Sequence, residues 1–226
     1  EDWPGQIAVD AQVLADGTLE SPQITVPRFQ ANGVLRNQDL TAAGQLKASR
    51  QSIELDALDL QALGARMTAT ARMELGDAWS GQARLQASEL DPAEFDDAWP
   101  GELTAVLELL VSGTADDPVF EVPLLQVTGM LRERPVVLDA AVRYAAEQTE
   151  ISRLILGSGA SSLRAQGQLA DQVLNLDWAL ASDDLADWYP GLTGQMDAQG
   201  RVDGKLPLPD LQFDLHAEGL SYGAIG

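Results

Sequence analysis

Along most of the chain, apolar and polar residues alternate one by one. From Leu40 the positions Leu40, Ala42, Gly44, Leu46 and Ala48 interleave with Thr41, Ala43, Gln45, Lys47 and Ser49. Met67, Ala69, Ala71, Met73 and Leu75 interleave with Arg66, Thr68, Thr70, Arg72 and Glu74. Leu174, Leu176, Trp178 and Leu180 follow the same rule, as do Leu211, Phe213, Leu215 and Ala217. A spacing of two sends successive side chains to opposite faces of an extended chain, so each stretch has one apolar face and one wet face, the pattern of antiparallel sheet. Leucine and alanine are the commonest residues and favour helix by propensity, but the periodicity overrides them. Turn signals recur at Asp16-Gly17, Asn32-Gly33, Gly64, Gly76-Asp77, Gly113, Asp117-Pro118, Gly157-Ser158-Gly159 and Asp203-Gly204. Their spacing predicts a meander of about ten to thirteen strands.

Two stretches break the alternation. Asp91-Pro92-Ala93-Glu94 places an acid at the cap, proline at the first helical position and glutamate three residues after the cap, which predicts a short helical connection over 92–98. Asp183-Asp184-Leu185-Ala186-Asp187-Trp188 predicts a second over 184–188. Each leads into an aromatic-Pro-Gly tripeptide, Trp99-Pro100-Gly101 and Tyr189-Pro190-Gly191.

That tripeptide marks a repeat. Trp3-Pro4-Gly5 recurs 96 positions on at Trp99-Pro100-Gly101, and the match continues without a gap. Gly17/Gly113, Pro22/Pro118, Pro27/Pro123, Gly33/Gly129, Leu35/Leu131, Arg36/Arg132, Glu54/Glu150, Leu58/Leu154 and Ala69/Ala165 are identical pairs. After a shortening of six positions a third copy opens at Tyr189, so the chain divides into units 1–98, 99–188 and 189–226, the last incomplete. A sheet apolar on one face cannot hide that face alone, so the units must stack another layer on it or curl and share a trough. Two architectures satisfy this: a closed solenoid or sandwich filled by its own side chains, and an open, curved antiparallel repeat sheet forming an elongated apolar groove. Small inward residues (Ala42, Gly44, Ala48, Ala69, Ala71, Ala83, Ala87, Ala105, Ala140, Ala165, Gly167) and an aromatic content of 5% favour the groove, because large aromatics do most of the filling in ordinary β cores.

Composition removes many functions. Thirty-five Asp and Glu against 14 Lys and Arg leave a net charge of −21, which repels nucleic acid. With no cysteine and one histidine, His216, disulfides, Cys/His zinc sites and thiol nucleophiles are excluded, and a histidine triad nearly so. His216 falls at an outward strand position and reads as a surface residue. The acid pairs Asp96/Asp97, Asp116/Asp117 and Asp183/Asp184 fall in turns or helix starts without calcium-loop spacing. Gly157-Ser158-Gly159 lacks the further glycine and lysine of a phosphate loop and reads as a turn. The longest apolar run, Leu103 to Val111, is far short of a membrane span and is interrupted by Glu108. The chain reads as non-enzymatic, without cofactor or metal, and as an excerpt of a longer protein.

Trp79-Ser80-Gly81-Gln82-Ala83-Arg84-Leu85, Leu90-Asp91-Pro92 with Trp99-Pro100-Gly101-Glu102-Leu103, and Phe213-Asp214-Leu215-His216-Ala217-Glu218-Gly219-Leu220 resemble the large periplasmic TamB proteins of the AsmA-like superfamily. The resemblance implies a repeating β-groove, the β-taco. It also implies a parent protein anchored in the inner membrane by an N-terminal helix and reaching across the periplasm to an outer-membrane barrel partner, TamA, through regions outside these residues. It further implies phospholipid movement between the membranes and outer-membrane protein assembly. A conduit for phospholipid acyl chains is the first expectation. An assembly scaffold templating strands of nascent outer-membrane proteins, autotransporters among them, by β-augmentation is the second, and a closed structural spacer the third. The expected groove lining comprises Leu46, Leu55, Leu60, Met67, Met73 and Leu85 of the first unit. From the second it comprises Leu103, Leu107, Leu109, Leu125, Val127, Leu138, Val142, Ile151, Leu156, Leu163, Leu169, Leu176 and Trp178, and from the third Phe213 and Leu215. Self-association through open repeat ends is expected of the isolated segment.

Overall fold

The computed structural model describes residues 5–35 and 38–223. Trp3 and Pro4 of the first aromatic-Pro-Gly corner, and Arg36 of the repeat, lie outside the described residues. The fold is all-β. The strands are β1 (Gly5–Gly17), β2 (Pro22–Leu35), β3 (Gln38–Ser49), β4 (Ser52–Ala62), β5 (Ala65–Glu74), β6 (Trp79–Leu90) and β7 (Gly101–Gly113). They continue with β8 (Pro118–Leu131), β9 (Arg134–Ala145), β10 (Gln148–Ser158), β11 (Ser161–Ala170), β12 (Val173–Ser182), β13 (Leu192–Lys205) and β14 (Asp210–Tyr222). Strand order is chain order, in an unclosed, curved antiparallel sheet.

Fourteen strands exceed the ten to thirteen expected. The difference lies in hairpin tips that carry no glycine or proline. Arg132 and Glu133 (φ 50° and 62°), Ala146 and Glu147 (42° and 64°), and Asp171 and Gln172 (50° and 65°) take the left-handed conformation of tight two-residue turns. Turns of that kind favour Gly and Asn, so these tips escape a composition-based reading.

The helical connections are single 3₁₀ turns, Pro92–Glu94 (the first corner) and Leu185–Asp187 (the second corner). The first ends at Glu94 rather than near Ala98. Beyond it Asp96 caps its own turn, accepting from the Ala98 amide at 3.0 Å. By sequence, β1–β6 fall within 1–98, β7–β12 within 99–188, and β13 and β14 within 189–226. By internal packing the chain divides elsewhere, into Glu1–Phe120 (unit 1) and Glu121–Gly226 (unit 2).

Within unit 1, strand register lines apolar residues into rows crossing the strands. One row runs Val26, Leu46, Leu55, Ala71, Ala83, Leu109 and another Phe29, Gly44, Leu58, Ala69, Leu85, Leu107. Ile24, Ala48, Ile53, Met73, Gly81, Val111 and Ala31, Ala42, Leu60, Met67, Ala87, Ala105 flank them. Within unit 2 the rows are Leu138, Leu156, Leu163, Leu180, Ala198, Leu215, then Ala140, Leu154, Ala165, Trp178, Gly200, Phe213, then Val142, Ile151, Gly167, Leu176, Val202, Leu211. A register shift between Leu55 and Leu58 in β4 recurs between Ile151 and Leu154 in β10, 96 positions on. Such bulges bend a strand and deepen its twist, so bends recur with the repeat. At Gly44 a Cβ would fall 2.6 Å from the Phe29 ring and 2.7 Å from the Ala57 carbonyl oxygen, so only glycine fits under that ring.

The core is thin. Among the described residues the buried apolar ones are Ala65, Ala87, Ala140, Ala141, Leu185 and Ala198, and no large side chain is fully buried. A solenoid filled by its own side chains would bury its leucines and aromatics instead.

Candidate functional site

The apolar rows contain no charged residue. Of the expected lining residues, Leu46, Leu55, Leu60, Met67, Met73, Leu85, Leu103, Leu107 and Leu109 lie half-buried on the apolar face of unit 1. Leu125, Val127, Leu138, Val142, Ile151, Leu156, Leu163, Leu169, Leu176 and Trp178 lie half-buried in unit 2. Phe213 and Leu215 are on the same face but on β14, where they are 56% and 55% exposed. Cross-strand register brings Leu46 beside Leu55, Leu60 beside Met67, and Leu85 beside Leu107. It likewise sets Leu156 between Leu138 and Leu163, and Trp178 opposite Gly200, itself opposite Phe213. Leu103 pairs with Leu90, beyond the four rows, and Leu169 with Leu174.

The opposite face is charged and ladder-like. Lys47 pairs with Asp56 at 2.6 Å, Arg84 with Glu108 at 2.7 Å, Arg153 with Asp139 at 2.8 Å and Arg201 with Asp177 at 3.1 Å. Arg72 reaches Glu74 at 2.9 Å and Glu54 at 3.8 Å. The hydrogen bond to Asp56 and that carboxylate's charge raise the Lys47 pKa above its ordinary 10.5, and Glu74 does the same for Arg72. Small hollows between these long side chains, such as one bounded by Glu54, Asp56, Arg72, Arg84 and Glu108, sit on this wet face. His216 is exposed there, 3.2 Å from Glu218. Among the described residues no three acid or histidine side chains converge as a metal site.

The corners close one rim of each unit. Asp91 caps the first, its Oδ1 accepting from the amides of Ala93 at 3.0 Å and Gly101 at 2.9 Å. Glu94, expected to complete the cap, accepts instead from the Gln38 side-chain amide at the start of β3. The second corner holds a buried polar cluster that periodicity did not reveal. Asp184 caps the turn, accepting from the Ala186 amide at 3.0 Å. Asp187, 3% exposed, forms an ion pair with Arg134 and accepts from Ser161 Oγ at 2.7 Å and the Ala160 amide at 3.1 Å. Ser158 Oγ donates to the Asp187 carbonyl at 2.7 Å, and Arg132 donates to the carbonyls of Ala186 and Asp187 at 3.2 Å each. Burial, then the charge of Arg134, lowers the Arg132 pKa. A Cβ on Gly159, which lies at φ 57°, would strike the Asp187 carboxylate. The serines of Ser158-Gly159-Ala160-Ser161 were the available signal, read only as a turn.

Fold and site together define a repeat protein of open antiparallel sheet, each unit carrying charge-free apolar rows on one face and charged side chains on the other. Residues 46–226 match the family model of the TamB N-terminal domain, and the chain belongs to the TamB family. No solved structure matches it. TamB proteins are transport and assembly components of the periplasm, anchored in the inner membrane. No helix among the described residues is long and apolar enough to cross a membrane.

Proposed function

We propose that this chain is a segment of a periplasm-spanning conduit whose apolar face forms a trough for phospholipid acyl chains in transit between the inner and outer membranes. The observation that carries the reading is the charge-free set of cross-strand rows within each unit, among which no large side chain is fully buried. Carrying a diacyl lipid of about thirty methylenes through water costs on the order of 25 kcal/mol at roughly 0.8 kcal/mol per CH₂. Neighbouring positions along such rows are nearly equivalent, so chains can slide without a large barrier while the headgroup stays in water. No catalytic group is needed. The test is native mass spectrometry with lipid extraction on the purified segment, beside the Leu107→Arg/Leu163→Arg variant checked for folding. Phospholipid that co-purifies with the parent and is lost from the folded variant supports the conduit. A well-folded parent free of lipid sinks it.

A further inference from the structure

We infer that the second corner is a clamp that fixes the curl of unit 2 at one rim, with Asp187 as its positioning residue, and thereby sets the room an acyl chain finds there. The last step rests on the conduit reading. The chain leaves β12 at Ser182 and turns back along the rim before β13 begins at Leu192. Asp187 thus sits against the β10–β11 turn, through Ser158, Ala160 and Ser161, and against Arg134 at the start of β9. β9, β10, β11 and β12 are consecutive neighbours, so the clamped ends span three strand spacings, roughly 14 Å in a flat sheet. One residue tied to both ends of that span admits a single separation between them. Its carboxylate is shielded on one side: Ser161 and Ser182 are 2% and 3% exposed and share a 2.7 Å hydrogen bond, and Leu185 of the same turn is buried, while the Arg134 side chain stays 34% exposed. Charge-assisted bonds to a carboxylate this deeply buried are costly to open.

The fold itself does not demand these groups. At the places 96 residues earlier, unit 1 carries Ala62 for Ser158, Ala65 for Ser161 and Gln38 for Arg134, and the same strands form. The serines and the arginine are additions to the repeat.

The chain has no cysteine, so Glu133→Cys and Ala181→Cys place spin labels at the two ends of the clamped span without interference. Pulsed electron spin resonance should give a narrow distance distribution in the parent and a longer, broader one in Asp187→Ala. Amide exchange over 159–163 should rise on the order of 100-fold in that variant. An unchanged distribution, in a variant whose exchange shows the corner released, overturns the clamp. Should Asp187→Ala fail to fold, Ser161→Ala keeps the ion pair and deletes the hydroxyl's bonds to Ser182, Asp187 and the Asp184 carbonyl. It must still broaden the distribution, and if it does not the clamp also falls. Phospholipid extracted from parent and variant then reads the second step: a shifted acyl-chain length profile supports it, and an unchanged profile despite a widened span overturns it. A widened span with no lipid in either protein sinks the conduit reading while the clamp stands.

Discussion

The two corners occupy equivalent places in the repeat and share their backbone plan, yet they are held by different chemistry. Both begin at an aspartate whose carboxylate accepts from the amide two residues on, and both reach back to a strand three neighbours away. In the first, a half-buried Glu94 meets the neutral Gln38. In the second, a buried Asp187 meets a charged Arg134 and the hydroxyl of Ser161. A repeat therefore fixes where a corner goes, and a few substitutions decide how firmly it is held.

The largest expected effect comes from Asp187→Ala, which leaves Arg134 only the 3.5 Å contact to Asp184 and removes one of Ser161's partners, and should cost about 2–4 kcal/mol in urea unfolding. Glu94→Ala, in a more open site, should cost distinctly less, and equal losses would erase the distinction between the corners. Ser161→Ala should follow at about 1–2 kcal/mol, since bonds to Ser182 and Asp187 disappear together. Writing the second corner's donors into the first, with Gln38→Arg and Ala65→Ser, should stabilise unit 1 by about 1 kcal/mol. A loss there would mean that the donors alone do not make the difference. The caps should behave alike, Asp91→Ala and Asp184→Ala each costing about 1 kcal/mol.

The smallest effect lies far from both corners. Because Asp56 raises the Lys47 pKa, that pair's contribution is fully present below the ordinary 10.5 and is lost as pH rises through the higher folded value. A Lys47 side-chain nitrogen signal that titrates at or below 10.5 would contradict the pairing.

Much of the architecture was legible from residue spacing. Alternation of two assigned strand faces along each regular stretch, while the register shifts in β4 and β10 bring Leu55 and Leu60, and Ile151 and Leu156, into apolar rows that strict alternation would have split. The N-cap aspartates were visible because capping is local, reaching only two residues along the chain. Strand number was underestimated where Ala146-Glu147 and Asp171-Gln172 turn without glycine. There the pairing of long strands overrides the weak backbone preference of two residues.

The sequence by itself determined the all-β class, the 96-residue period, the two faces and the family, since all of these are written in local spacing or in self-similarity. Only the tertiary structure decided that the apolar face buries no large side chain, and that buried Asp187, Ser158 and Ser161 meet a half-buried Arg134 in one cluster. The physical reason is separation along the chain: Ser161 lies 26 residues from Asp187 and Arg132 lies 55. No periodicity records a contact made by folding a rim back across three strands.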